Sequence, residues 1–189
     1  MNLAIFDLDG TLIDSAPDLV AALNRLLVEE GRRMVSLDEG RRMVGEGARA
    51  LVERGFIATG SDAGPAALDD LTRRYIAIYR CDPVVETLVY PGVVEVLKLL
   101  AASGVAMGVC TNKPDEVSRL VLEALGLAGY FGAVVGGDAL PVRKPDARHL
   151  NAVVDRLAVL LHQPDQLVVA VRPHGLTAGT CHCFCHLAP

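Results

Sequence analysis

The sequence predicts an α/β fold: a Rossmann-like parallel sheet core with an inserted helical cap domain. Three observations predict it. An apolar run at residues 2–6 stops at a polar, glycine-containing turn, as a buried strand does. From about residue 91 onward, strand-like and helix-like segments alternate, the pattern of a parallel sheet covered by helices. Between them, residues 15–82 carry helical spacing almost throughout.

The elements follow in order. Residues 17–30 place Leu19, Val20, Leu23, Leu26 and Leu27 on one helical face, with Pro17 suited to a first turn and Gly31 to a stop. Ser36 and Glu39 have capping-box spacing, so a helix starts near Leu37. Residues 48–54 form a short helix, residues 60–65 a loop, and residues 66–80 a helix with Leu68, Leu71, Tyr75, Ile78 and Tyr79 on one side. Pro91-Gly92 opens a helix through Leu100, and residues 105–110 are a strand. Residues 114–125 are a helix facing inward with Val117, Leu120, Val121, Ala124 and Leu125. A short strand at 133–135, a helix at 146–161 and a strand at 167–171 complete the pattern.

This divides the chain into a discontinuous α/β core at 1–14 and 83–171, a helical cap at 15–82, and an irregular tail at 172–189. An all-helical insert after the first strand lies over the carboxyl edge of the sheet, where open α/β sheets bind ligands.

Composition narrows the function. The chain has 189 residues, 51% hydrophobic, enough for one domain and an insert. Its net charge is −5 with acids and bases mixed, and it has no Trp, so neither a basic stripe nor a stacking platform points to nucleic acid. The N-terminus lacks a positive leader segment. The most apolar stretch, residues 93–110, is interrupted by Glu95, Lys98 and Gly104 and reads as helix then strand, not a membrane span. The expected location is the cytoplasm. Cys81 and Cys110 read as plain buried thiols, and Cys181, Cys183 and Cys185 crowd the tail, which is no secreted disulfide framework.

Chemistry concentrates at predicted strand ends. Asp7 and Asp9, in Phe6-Asp7-Leu8-Asp9-Gly10-Thr11, follow the first strand. Two carboxylates that close repel, so a site holding both ionised wants a cation between them or a proton on one. Mg²⁺ commonly takes one or two carboxylates together with phosphate oxygens. Gly10 lets the backbone turn and approach a ligand. Taken alone, Asp-x-Asp-Gly is equally a polar turn. Thr111, with Asn112 and Lys113 behind it, ends the next sheet strand, and Lys144 follows the one after. Parallel strands bring these groups to one edge, where a hydroxyl, an ammonium, a helix N-terminus near Pro114 and two carboxylates make a phosphoryl site.

Asp7-Leu8-Asp9-Gly10-Thr11, Thr111-Asn112-Lys113 and Arg143-Lys144-Pro145-Asp146 resemble, in this order, the first three motifs of the haloacid dehalogenase-like phosphatases. Tyr90-Pro91-Gly92-Val93 and Gly136-Gly137-Asp138-Ala139-Leu140-Pro141 are similar to the bacterial phosphoglycolate phosphatase branch. The resemblance covers Met1 to about Val171. It implies that Asp7 attacks phosphorus, Asp9 is the acid and base, and Gly10, Thr111, Asn112 and Lys144 bind the phosphoryl group. It further implies that Asp7 and Asp9 hold Mg²⁺ and that the substrate is a small phosphorylated metabolite, 2-phosphoglycolate. The loop Gly45-Glu46-Gly47, with Arg49 beyond, is either substrate-facing by resemblance or a glycine-flexed connector.

The pattern breaks after residue 171. The family's fourth motif supplies Gly-Asp and a second Asp, whereas Arg172-Pro173-His174-Gly175 stands here and no Asp or Glu follows Asp165. The expectation is a truncated or frame-shifted C-terminus, with impaired activity and self-association through an uncovered sheet edge. The rival readings are an inactive remnant that binds phosphate ligands and a sugar-phosphate mutase. Cys181, His182, Cys183, Cys185 and His186 are a poor match to zinc-site spacing and read as incidental thiols and imidazoles in a disordered tail.

Overall fold

The computed structural model describes residues 2–60 and 62–161 together with the strand 167–171. Residues 172–175, where the fourth motif is expected, and the cysteine- and histidine-bearing tail lie outside the described residues.

Strands β1 (Asn2–Phe6), β4 (Ala106–Cys110), β5 (Ala133–Val135) and β6 (Leu167–Val171) form one sheet in the order β5-β4-β1-β6, every neighbouring pair parallel. Alternation along β1 divides the core. Leu3 and Ile5 pack with Cys110, Val135, Val153 and Leu157 on the side of α7 (Ala147–Leu161). Ala4 and Phe6 join Val109, Val117 and Val121 on the side of α5 (Val93–Ala102) and α6 (Asp115–Ala124). Covering both faces is what a parallel sheet requires.

Between β1 and β4 run α1 (Ala16–Glu29), α2 (Leu37–Arg41), α3 (Ala48–Ala58) and α4 (Pro65–Cys81). Helix α1 buries Leu19, Val20, Leu23, Leu26 and Leu27, the face its spacing predicts. The capping box of α2 is complete, with Ser36 and Glu39 each accepting from the other's amide. Helix α3 runs beyond the predicted residue 54. Gly55 looks like a helix breaker, costing about 1 kcal/mol against Ala. Here α3 passes so close to α1 that a Cβ at Gly55 would stand 2.9 Å from the Leu23 side chain. In α6, Leu120 is 36% exposed rather than inward, while Ser118 is buried because its hydroxyl donates to Pro114 O at 2.8 Å.

A small second sheet was not predicted. Strands β2 (Ile13–Asp14) and β3 (Leu88–Val89) pair antiparallel where the chain leaves for the helical segment and returns from it. Two-residue strands have no hydrophobic period to read. Buried Asp18 ties down the returning segment: its carboxylate accepts from the amides of Val85, Glu86 and Thr87 and from the Thr87 hydroxyl at 2.6 Å. Cys110 is buried as expected, whereas Cys81 is exposed, on the last turn of α4.

Candidate active site

The buried register of β1 delivers Asp7 to the carboxyl edge of the sheet. Beyond it the chain curls tightly: Leu8 O accepts from the amides of Thr11, Leu12 and Ile13 at 3.0–3.3 Å. Gly10 sits at φ +76°, a backbone conformation that favours glycine. Its amide is committed to Ile13 O at 2.9 Å and it is not among the residues lining the cleft, so Gly10 shapes the turn.

Two aspartate–lysine pairs stand at this edge. Lys144 Nζ lies 2.6 Å from Asp7 Oδ1, which also accepts the Leu8 amide at 2.8 Å. Lys113 Nζ lies 3.0 Å from Asp9 Oδ1, which also accepts the Ser15 hydroxyl at 2.5 Å. Among the described residues no donor reaches Oδ2 of either acid. The cation that neighbouring carboxylates call for is thus supplied twice over by the protein's own ammonium groups. Ser15 occupies the N-cap position of α1 yet makes no side-chain capping bond: its own backbone is helical and Pro17 has no amide hydrogen to give, so its hydroxyl is left to donate to Asp9.

A cleft of about 510 Å³, its open mouth included, is lined by Asp7, Asp9, Tyr79, Thr111, Asn112 and Lys113, with Gly45 and Gly47 from the loop before α3. Thr111 is buried and its Oγ accepts the Lys113 amide at 3.2 Å, leaving the hydroxyl proton free to donate. Asn112 Nδ2 donates to Gly45 O at 3.5 Å and Lys144 O at 3.3 Å, joining the two loops that flank the cleft. Its Oδ1 is buried and without a partner. Gly47 (φ +90°) presses onto Asn112, whose carbonyl would lie 2.9 Å from a Cβ there. Glu46 pairs with Arg54, and Arg49 with Asp69, so this loop turns backbone to the cleft.

Lys113, Ser15 and Tyr79 are the site residues that sequence reasoning missed. Lys113 Nζ donates to Tyr79 Oη at 2.8 Å, and Tyr79 Oη donates to Pro83 O at 3.2 Å. Burial first, then the charges of Asp9 and Asp18, push the Tyr79 hydroxyl far above its ordinary range, so it remains a donor. For Asp18, burial alone would raise the carboxyl, but the bonds from the Thr87 hydroxyl and the three amides outweigh it and hold the group below its usual value. On the other sheet face, buried His149 spans Cys110 Sγ and Gly136 O at 3.4 and 2.9 Å, bracing the ends of β4 and β5 beside Thr111.

Among the described residues no three His, Cys, Asp or Glu side chains form a metal cage. Asp7 and Asp9 still fit a hard divalent ion: Asp7 offers its carboxylate and Asp9 its backbone carbonyl, which no amide occupies among the described residues, and Mg²⁺ takes few protein ligands where substrate phosphate completes its shell.

The model of the haloacid dehalogenase-like hydrolases matches residues 4–169. The chain belongs to that family. Among the chain's relatives is a phosphoglycolate phosphatase of Caulobacter vibrioides, 47% identical over 149 residues that make up 79% of this chain and 63% of the relative. Another, from Rhodospirillum rubrum, is 48% identical over 161 residues, 82% of this chain and 66% of the relative. The chain therefore spans just under two thirds of the length of these relatives. Its fold superposes on the crystal structure of a predicted phosphoglycolate phosphatase from Haemophilus somnus with a TM-score of 0.77 at 28% identity, covering 89% of this chain and 76% of that one.

Proposed function

We propose that this hydrolase is a phosphatase for small phosphate monoesters, 2-phosphoglycolate first among them, acting through an aspartyl-phosphate at Asp7. The observation that carries the reading is the paired arrangement of Asp7 and Asp9. Each has one oxygen held by an ammonium, each leaves the other oxygen without a donor among the described residues, and both line a cleft shared with Thr111. The names of the relatives support the substrate.

In the first half-reaction Asp7 Oδ2 attacks phosphorus, the bond from phosphorus to the ester oxygen breaks, and the departing alkoxide takes a proton from Asp9. In the second, Asp9 removes a proton from water as its oxygen attacks the phosphoryl phosphorus, freeing inorganic phosphate and restoring the Asp7 carboxylate. The covalent step divides one hard displacement into two. Lys144 and the Thr111 hydroxyl are aimed at the transferring phosphoryl group, where charge spreads over its oxygens. Mg²⁺ held by Asp7 and the backbone carbonyl of Asp9 would add neutralisation of the phosphoryl charge.

The helical segment 15–82 serves as the cap over this cleft in the proposal, and residues 1–14 with 83–171 as the core. A cytoplasmic setting suits a small phosphorylated metabolite; among the described residues no helix is long and apolar enough to cross a membrane. Strand β6 has a strand neighbour on one side only among the described residues, which supports self-association through that edge.

Phosphate release from 2-phosphoglycolate, with Mg²⁺ and after chelation, tests the function. Turnover that chelation abolishes is expected. Phosphate binding without turnover would favour the non-catalytic reading, and isomerisation exceeding release would favour a mutase.

A further inference from the structure

We infer that Lys113 is a positioning residue for Asp9, and that Tyr79 of helix α4 makes its placement depend on the helical segment. The inference rests on the phosphatase reading for its kinetic consequence and on the geometry alone for its structural one.

A carboxylate that must give and then take a proton needs one oxygen fixed and the other free. Asp9 is arranged so. Oδ1 receives Ser15 Oγ at 2.5 Å and Lys113 Nζ at 3.0 Å, while Oδ2 has no donor among the described residues. Neither donor is incidental. Ser15 is 1% exposed, and its hydroxyl, with no capping bond to make, is spent on Asp9. Lys113 is 4% exposed, and an ammonium is left so far from water only when its donors are engaged. The partners found for it are Asp9 Oδ1 and Tyr79 Oη, the latter at 2.8 Å, with the ammonium 4.5 Å from the Tyr79 ring centroid. Tyr79 is itself fixed, stacked on Tyr75 at 6.2 Å and donating to Pro83 O at 3.2 Å. Pro83 begins the return toward β3, just before the segment that Asp18 clamps. A continuous chain of hydrogen bonds thus runs from the exit of the helical segment through Tyr79 and Lys113 to Asp9 Oδ1. Displacing α4 removes one of the ammonium's two partners and loosens the acid it holds.

This has a signature that mere damage does not share. An alkyl ester expels an alkoxide and needs the proton from Asp9; a nitrophenyl ester expels a stable phenolate and does not. The constant kcat/KM reports events through cleavage of the ester bond. In Lys113→Met, kcat/KM for 2-phosphoglycolate should fall at least about ten-fold further than for p-nitrophenyl phosphate, within the usual reach of acid–base catalysis. Tyr79→Phe, which keeps the stacked ring and loses only the hydroxyl, should shift the ratio the same way by less, and carries the test should Lys113→Met fail to fold. Parallel loss with both esters, or no change in the ratio, overturns the inference. Absence of turnover in the parent refutes the phosphatase reading instead. Crystal structures of the same variants then decide: a displaced Asp9 carboxylate supports the role of Lys113, and an unmoved one overturns it.

Discussion

The two aspartate–lysine pairs look alike on paper and are built differently. Asp7–Lys144 comes wholly from loops at the sheet edge, and its side chains keep 15% and 16% of their surface open. In Asp9–Lys113 the aspartate side chain is 13% exposed, much like Asp7, but the lysine is only 2% exposed, and the pair is wired to the helical segment through Ser15 on one side and Tyr79 on the other. The first pair is the one proposed to meet the phosphoryl group, and it touches the helical segment only indirectly, through the Asn112 side chain that joins Lys144 O to Gly45 O. The second reports on where the helices stand. In the proposal, two pairs of identical chemistry thereby become an attacking unit and an adjustable one.

The largest expected break falls on the open pair. Asp7→Asn removes the attacking oxyanion from a group on the rim of the cleft, so phosphate release should drop by on the order of 10⁴-fold while the thermal transition stays close to the parent's. Activity within a few-fold of the parent would refute Asp7 as nucleophile. Lys144→Ala comes next. Losing one charge-stabilising donor should cost about 10²–10³-fold in kcat, measured by the same assay, with Asp7 still able to attack.

The clamp at the neck of the helical segment sharpens the comparison from the side of stability. Asp18→Ala strands the amides of Val85, Glu86 and Thr87, and should cost about 2–4 kcal/mol in denaturant unfolding. Because Asp18 titrates below its ordinary value when folded, its contribution is fully present above an unfolded pKa of about 3.9 and is lost as pH falls through the lower folded value. Asp18→Asn should flatten that acid limb of stability; an unchanged acid limb would contradict the assignment.

These contrasts also explain what the sequence disclosed. The alternation of β1, β4, β5 and β6 with α5 to α7 was legible because short apolar runs alternate with segments of helical spacing. Asp7, Asp9, Thr111 and Lys144 were legible because parallel strands bring their ends to one edge, and the structure brings Asp7, Asp9 and Thr111 into one cleft with Lys144 against Asp7. Lys113 was hidden because a lysine after a strand usually belongs to solvent, and only tertiary packing buries it. Ser15 was hidden by its N-cap position, which offers a sufficient local use for a serine. Tyr79 was read as core, which it is, but periodicity says nothing of where a hydroxyl points. Helix α3 was cut short at a glycine that a helix crossing requires, and β2 and β3 are too short to carry a period.

The most direct test of the central claim is to trap the covalent intermediate. Acid quench during turnover of 2-phosphoglycolate with Mg²⁺, followed by peptide mass analysis, should find one phosphoryl group on the N-terminal peptide at Asp7, and none in Asp7→Asn. Turnover with no such adduct, or a phosphoryl group on any other residue, would contradict nucleophilic catalysis by Asp7.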